Sequence, residues 1–156
     1  MGGMASRSST APRPAGSRAL RLWALGAAAW TLLYVVSKVV HAVEGRLGVT
    51  GGPRVDPDSY ASYGPGDVAA AQWANAGVGT AVVLLFVLCA LPVVRSLPRW
   101  LPAVPVGLVT LMAVAGTVGM VGRALLTASG GAGFGIYCAV WAVLAAGVLV
   151  CLLRRS

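Results

Sequence analysis

Apolar residues in this chain come in four long runs. Leu22 to Val43, Val68 to Leu91, Pro102 to Gly122 and Phe134 to Leu153 hold 22, 24, 21 and 20 residues. A helix rises about 1.5 Å per residue, so about 20 residues cross the roughly 30 Å of bilayer hydrocarbon. None of the runs alternates at the strand period over barrel-strand lengths. Helices are then the remaining way to pair every backbone group in lipid. The pattern predicts an all-α, four-span transmembrane helical bundle with up-down topology over residues 22–153.

The residues between the runs fit these boundaries. Pro65-Gly66-Asp67 is a turn followed by an N-cap candidate, which opens the second helix at Val68. Pro92 closes that helix. Pro102 stands in the first turn of the third, where a missing N–H costs little, and Pro105 is placed to bend its entry. Ser129 to Gly133 reads as a flexible connection. Residues 1–21 hold Ser, Pro, Gly, Ala and four arginines without periodicity, and are expected to be a disordered basic tail. The first run is longer than a signal-peptide core and no small-x-small site follows it cleanly, so it is expected to stay as a helix.

Composition narrows the class. Hydrophobic residues make up 58% of the 156 and charged ones 10%, against about 25% charged in an ordinary soluble domain. The net charge of +8 would point to nucleic acid, but there is too little polar surface for a wetted binding face. Position explains the charge better. Arg7, Arg13, Arg18, Arg21, Arg95, Arg99, Arg154 and Arg155 fall on one side of the predicted spans. Arg46, Arg54, Arg123 and all four acids (Glu44, Asp56, Asp58 and Asp67) fall on or near the other, as does Lys38 inside its span. Cytoplasmic loops carry the excess of Lys and Arg. Both termini are therefore expected inside and the loop from Glu44 to Asp67 outside, in a multi-pass plasma-membrane protein whose surroundings are membrane lipid and whose partners do not include nucleic acid.

Several chemistries lack their residues. Cys89, Cys138 and Cys151 form no C-x-x-C pair and read as small buried side chains. The glycines at 131, 133 and 135 follow no strand, so a phosphate cradle is not expected. His41-x-x-Glu44 puts two ligand types on adjacent turns, but a metal needs a further ligand from elsewhere, and no metal or cofactor is expected.

The first helix carries the informative feature. Trp23, Trp30, Ser37 and Glu44 recur every seven residues on one face, with Tyr34 and His41 on it and Lys38, the single lysine, at its flank. A polar stripe on a membrane helix should face the bundle. By helical rise Lys38 lies about 7–8 Å below the outer boundary, and Gln72 and Asn75 about 6 and 10 Å below it. Arg123 ends the third helix on that side and Tyr137 begins the fourth.

Two readings follow. In one, Lys38 snorkels to the headgroups, Gln72 and Asn75 bond neighbouring helices, and Trp73, Tyr137 and Trp100 anchor at the interfaces. In the other, Lys38, His41, Glu44, Gln72, Asn75, Arg123 and Tyr137 line an outward-open polar pocket for an anionic or zwitterionic small molecule or a lipid headgroup. Ala115, Gly119 and Gly122 are small residues at close-packing spacing, expected to meet a neighbouring helix of the chain or, less simply, a second copy.

Trp23-Ala-Leu-Gly26, Leu97-Pro-Arg-Trp100 and Arg123 together resemble a bacterial family of small four-helix membrane proteins of unknown function. The outer loop from Arg54 to Gly66 is longer than the connection associated with that family. The resemblance implies the fold and no chemistry. The expected role is a non-enzymatic binding or accessory subunit that works with lipid, with copies of itself or with a membrane partner protein. The alternatives are a small oligomeric carrier, proton-coupled through Lys38, His41 and Glu44, and a lipid-modifying enzyme.

Overall fold

The computed structural model describes residues 15–127 and 129–154, with side chains from Arg18 onward. The four runs form four helices: α1 (Ala15–Val43), α2 (Asp67–Ala90), α3 (Trp100–Leu126) and α4 (Ala132–Leu153). All four are long and apolar enough to cross a membrane. The protein is an all-α four-helix bundle of a multi-pass membrane type.

The helix ends differ from the hydropathy boundaries for local reasons. α1 starts seven residues before its apolar run, so Ala15–Arg21 is helical where a disordered tail was expected. Alanine, leucine and arginine are strong helix formers, and Leu20 is buried in the core at 5% exposure. The rest of the expected tail, residues 1–14, lies outside the described residues. Asp67 is the first residue of α2 rather than its cap. Gly66 precedes it at φ +86°, and the Asp67 carboxylate accepts the Gly64 N–H at 3.0 Å. α3 begins two residues before its apolar run and ends four residues after it, and Pro105 is accommodated inside it. Pro92 ends α2 and starts a 3₁₀ turn, Pro92–Ser96.

Side-chain registers fix the packing order. α1 runs antiparallel to α2, with Lys38 beside Gln72 and Gly79 against Tyr34 and Val35. It also runs antiparallel to α4, with Trp23 on Gly147 and Trp30 on Tyr137. α4 pairs in turn with α3, where Gly116 meets Cys138 and Gly135 meets Val121. The layout across the bundle is thus α2–α1–α4–α3.

The apolar core lies toward the end that carries the termini. Ala24, Ala27 and Ala28 of α1 meet Phe86 and Cys89 of α2, Val106 and Val109 of α3, and Ala145, Val148 and Leu152 of α4. The buried residues of α3 all lie between Pro102 and Ala113. Outward faces are apolar, from Leu32 and Leu33 through Leu84, Leu108 and Leu111 to Val143, as lipid solvent requires.

The other end, the loop end, carries residues 44–66 and 127–131. These two segments are tied together. Pro53 and Gly130 form an antiparallel bridge, Arg54 N–H donates to Ser129 O at 2.8 Å, and Phe134 N–H donates to Gly51 O at 2.9 Å. The connection read as flexible, Ser129 to Gly133, is therefore clamped to the long loop where it is described.

Candidate functional site

The polar stripe of α1 meets the loop. Gly45, Gly48 and Gly51, three residues apart, have φ of +62°, +113° and +73°. Side chains rarely adopt this left-handed region, and glycine at each position lets the chain fold back over α1 and α2. The fold-back turns backbone carbonyls inward. Lys38 Nζ donates to Gly48 O at 2.7 Å and to Gln72 Oε1 at 3.0 Å, and lies 5.5 Å from the centroid of the Tyr34 ring. Gln72 Nε2 completes the set, donating to Arg46 O at 2.9 Å and Gly48 O at 3.2 Å. Lys38 is only 8% exposed and Gln72 2%. Intramembrane ionisable side chains pair with one another or with backbone carbonyls, and Lys38 takes the second course.

The adjacent residue, Ser37, makes a second latch. Thr50 N–H donates to Ser37 Oγ at 2.9 Å, and the two hydroxyls lie 2.9 Å apart. Together Ser37, Lys38 and Gln72 hold residues 46–50 onto the bundle.

Aromatic rings line the seam between α1 and α4. Tyr34 stacks on Phe134, Phe134 on Tyr137 and Tyr137 on Trp30, with centroids 6.4, 5.6 and 5.3 Å apart. Trp30 and Tyr137 exchange hydrogen bonds: the indole Nε1 donates to Tyr137 O at 3.1 Å, and the Tyr137 hydroxyl donates to Trp30 O at 2.8 Å. Trp141 continues the row inward.

A groove of about 400 Å³ lies beside this row, lined by Leu33, Tyr34, Val36, Ser37, Val40, Val49, Thr50, Phe134 and Tyr137. That volume is within the range of small-molecule sites. The lining residues are mostly apolar; Ser37, Thr50, Tyr34 and Tyr137 are the hydroxyl-bearing ones, and the Tyr137 hydroxyl is engaged with Trp30 O. Leu33, Val36 and Val40 are exposed on the lipid-facing side of α1, so the mouth opens sideways. The loop residues Val49 and Thr50 close the groove at the loop end.

The seven residues named as one polar pocket have separate placements. Lys38 and Gln72 meet. Tyr137 lines the groove, and the Tyr34 ring stands beside the Lys38 ammonium. His41 Nδ1–H donates to Ser37 O at 2.8 Å, a bond within α1. Glu44 is exposed and pairs with exposed Arg46. Arg123 is exposed and donates to Ser129 Oγ at 3.0 Å. Asn75 is exposed on α2.

Close helix contact on α3 also lies elsewhere than Ala115, Gly119 and Gly122. Ala115 is exposed, and a Cβ at Gly119 or Gly122 would meet nothing within 4 Å. The contact with α4 falls one residue from Ala115, at Gly116, where a Cβ would stand 3.1 Å from Cys138 Sγ. A one-residue step turns the helix by about 100°.

Sequence reasoning passed over Gly48, Val49, Thr50 and Phe134. The three-residue spacing of Gly45, Gly48 and Gly51 was the available signal for a tight fold-back. Among the described residues, no three His, Cys, Asp or Glu side chains group to hold a metal ion. No family model, curated protein or solved structure matches the chain, so function is argued from geometry.

Proposed function

We propose that this protein is a non-enzymatic integral membrane binding protein whose site is the α1–α4 groove beneath the loop. The observation that carries this is the groove itself: an apolar space, walled by aromatic side chains, whose mouth lies on a membrane-spanning helix. A ligand reaches such a mouth from within the bilayer. The excess of arginine in the terminal segments of the sequence supports, by the positive-inside rule, a loop end that faces outside, and on this reading the ligand enters from the outer leaflet of the plasma membrane.

The carrier alternative draws less support. A proton relay through Lys38, His41 and Glu44 needs the three groups in contact. Here Lys38 bonds Gly48 and Gln72, His41 bonds Ser37 O, and Glu44 bonds Arg46.

Native mass spectrometry of the purified protein tests the proposal. Wild type is expected to retain a small apolar molecule at about one per chain. Val36→Trp, which fills the groove from an exposed position, is expected to lose it while keeping its helical circular dichroism. A wild-type protein released bare from several mild detergents overturns the reading.

A further inference from the structure

The walls of the groove narrow the chemistry of its occupant, on the reading that the groove is the binding site. None of its nine lining residues is charged. The ammonium of Lys38 stands against the Tyr34 ring and donates to Gly48 and Gln72. A charged headgroup therefore finds no counter-ion inside.

The ring faces are also engaged. Phe134 is stacked with Tyr34 and Tyr137, Tyr137 with Trp30, and the Lys38 ammonium lies by Tyr34. Aromatic rings bind planar partners by offset stacking on their faces or by edge-to-face contact. With the faces engaged, offset stacking is closed to a planar partner, and the groove offers a few ring edges among the branched side chains of Leu33, Val36, Val40 and Val49. Such a surface suits a flexible aliphatic chain better than a planar ring.

The end of the groove under the loop carries one unspent donor. Ser37 and Thr50 have two hydroxyl protons, and a single hydrogen bond joins their oxygens. Whichever oxygen donates, the other hydroxyl keeps a proton for a further acceptor. Thr50 N–H is already committed to Ser37 Oγ.

We infer that the groove holds the acyl chain of an ester-linked lipid from the leaflet at the loop end. The chain lies along Leu33, Val36 and Val40, and its ester carbonyl accepts the remaining Ser37–Thr50 proton. The mouth, the neutral walls, the engaged ring faces and the single donor at the loop end each match one part of that molecule.

Photocrosslinking in nanodiscs tests this. The probes are phosphatidylcholines with a mid-chain diazirine, one ester-linked and one ether-linked. The ether probe lacks the carbonyl acceptor. Crosslinks from the ester probe are expected to concentrate in residues 33–40 and 134–137 over the exposed α3 face at Leu108 and Leu111, and to vanish from the groove in Val36→Trp. The ester probe should be favoured over the ether probe by about threefold to tenfold, the worth of one neutral hydrogen bond. Thr50→Val alone leaves the Ser37 proton free and should keep that preference, whereas Ser37→Ala/Thr50→Val removes both hydroxyls and should abolish it, with Lys38 and Gln72 still bonded to the loop at Gly48 O and Arg46 O. Equal labelling of the groove and the α3 face would overturn both this inference and the binding-site reading. Groove labelling that is indifferent to the ester, or displaced by a planar aromatic lipid, would overturn this inference alone.

Discussion

Lys38 shows how a charge is accommodated in an apolar helix without a counter-ion. Its ammonium replaces water with a carbonyl, an amide oxygen and a neighbouring ring, and the carbonyl belongs to a loop that glycine conformations bend inward. Removing the lysine strands its partners. Lys38→Met leaves Gln72 Oε1 buried without a donor, which costs about 1–3 kcal/mol. The expected result is a lower unfolding midpoint in denaturing detergent and faster proteolysis within residues 46–52, with α3 and α4 unaffected. An unchanged cleavage rate would mean that Lys38 does not hold the loop. Gly131 is a second sensitive residue. Its φ is +102°, and a Cβ there would sit 3.2 Å from Pro53 Cδ. Gly131→Ala therefore combines backbone strain with a clash at the Pro53–Gly130 bridge. It is expected to loosen the clamp between the two loop-end segments, measurable as faster amide exchange at Arg54 and Phe134.

Glycines on the helices divide by what they face. At Gly79 a Cβ would stand 2.9 Å from Val35 Cγ2 and 3.1 Å from Tyr34 Cδ1. Valine is stiff at χ1, so α1 and α2 must separate. Gly79→Ala is expected to destabilise by about 1–3 kcal/mol, as overpacking does. At Gly119 the same change meets open space, and alanine is the better helix former by about 1 kcal/mol. Gly119→Ala is expected to be neutral or stabilising in the same unfolding assay. The pair separates close packing from mere small size, which the spacing of glycines along α3 does not do. Helix positions were legible from hydropathy, whereas contact faces were not. A contact depends on which neighbour lies opposite, and the pairing α2–α1–α4–α3 leaves the loop-end half of α3 at the periphery.

At the scale of the molecule, polarity is asymmetric between the two ends. The terminal end gathers the apolar core, while the loop end gathers the Lys38 network, the aromatic row and the groove. By the positive-inside rule, the charge distribution is expected to put the loop end outside. Reporter fusions at Ser129 and at the C-terminus are expected to read outside and inside, respectively. A C-terminus that reads outside would reject the orientation and, with it, entry of ligand from the outer leaflet.

Part of the site was visible before folding. The seven-residue recurrence marked Ser37 and Tyr34, the flank marked Lys38, and the depth estimate brought Gln72 level with Lys38. His41, Glu44, Asn75 and Arg123 fall on the same side of the predicted spans but do not share those surroundings. Depth follows from helical rise alone, while contact also needs azimuth, tilt and the path of the loop.

The sequence by itself determined that there are four helices and roughly where each lies, because lipid leaves a backbone few other ways to pair its hydrogen bonds. It also determined which residues are unusual in such a setting. Only the tertiary structure decided what those residues touch. Three left-handed glycines carry Gly48 O to Lys38 and Thr50 to Ser37, and the α1–α4 register stacks Phe134 between Tyr34 and Tyr137. Apart from Phe134–Tyr137, which stand one turn apart in α4, these contacts join residues 10 to 100 positions apart. No periodicity encodes them, because they arise from loop geometry and helix pairing rather than from any local repeat.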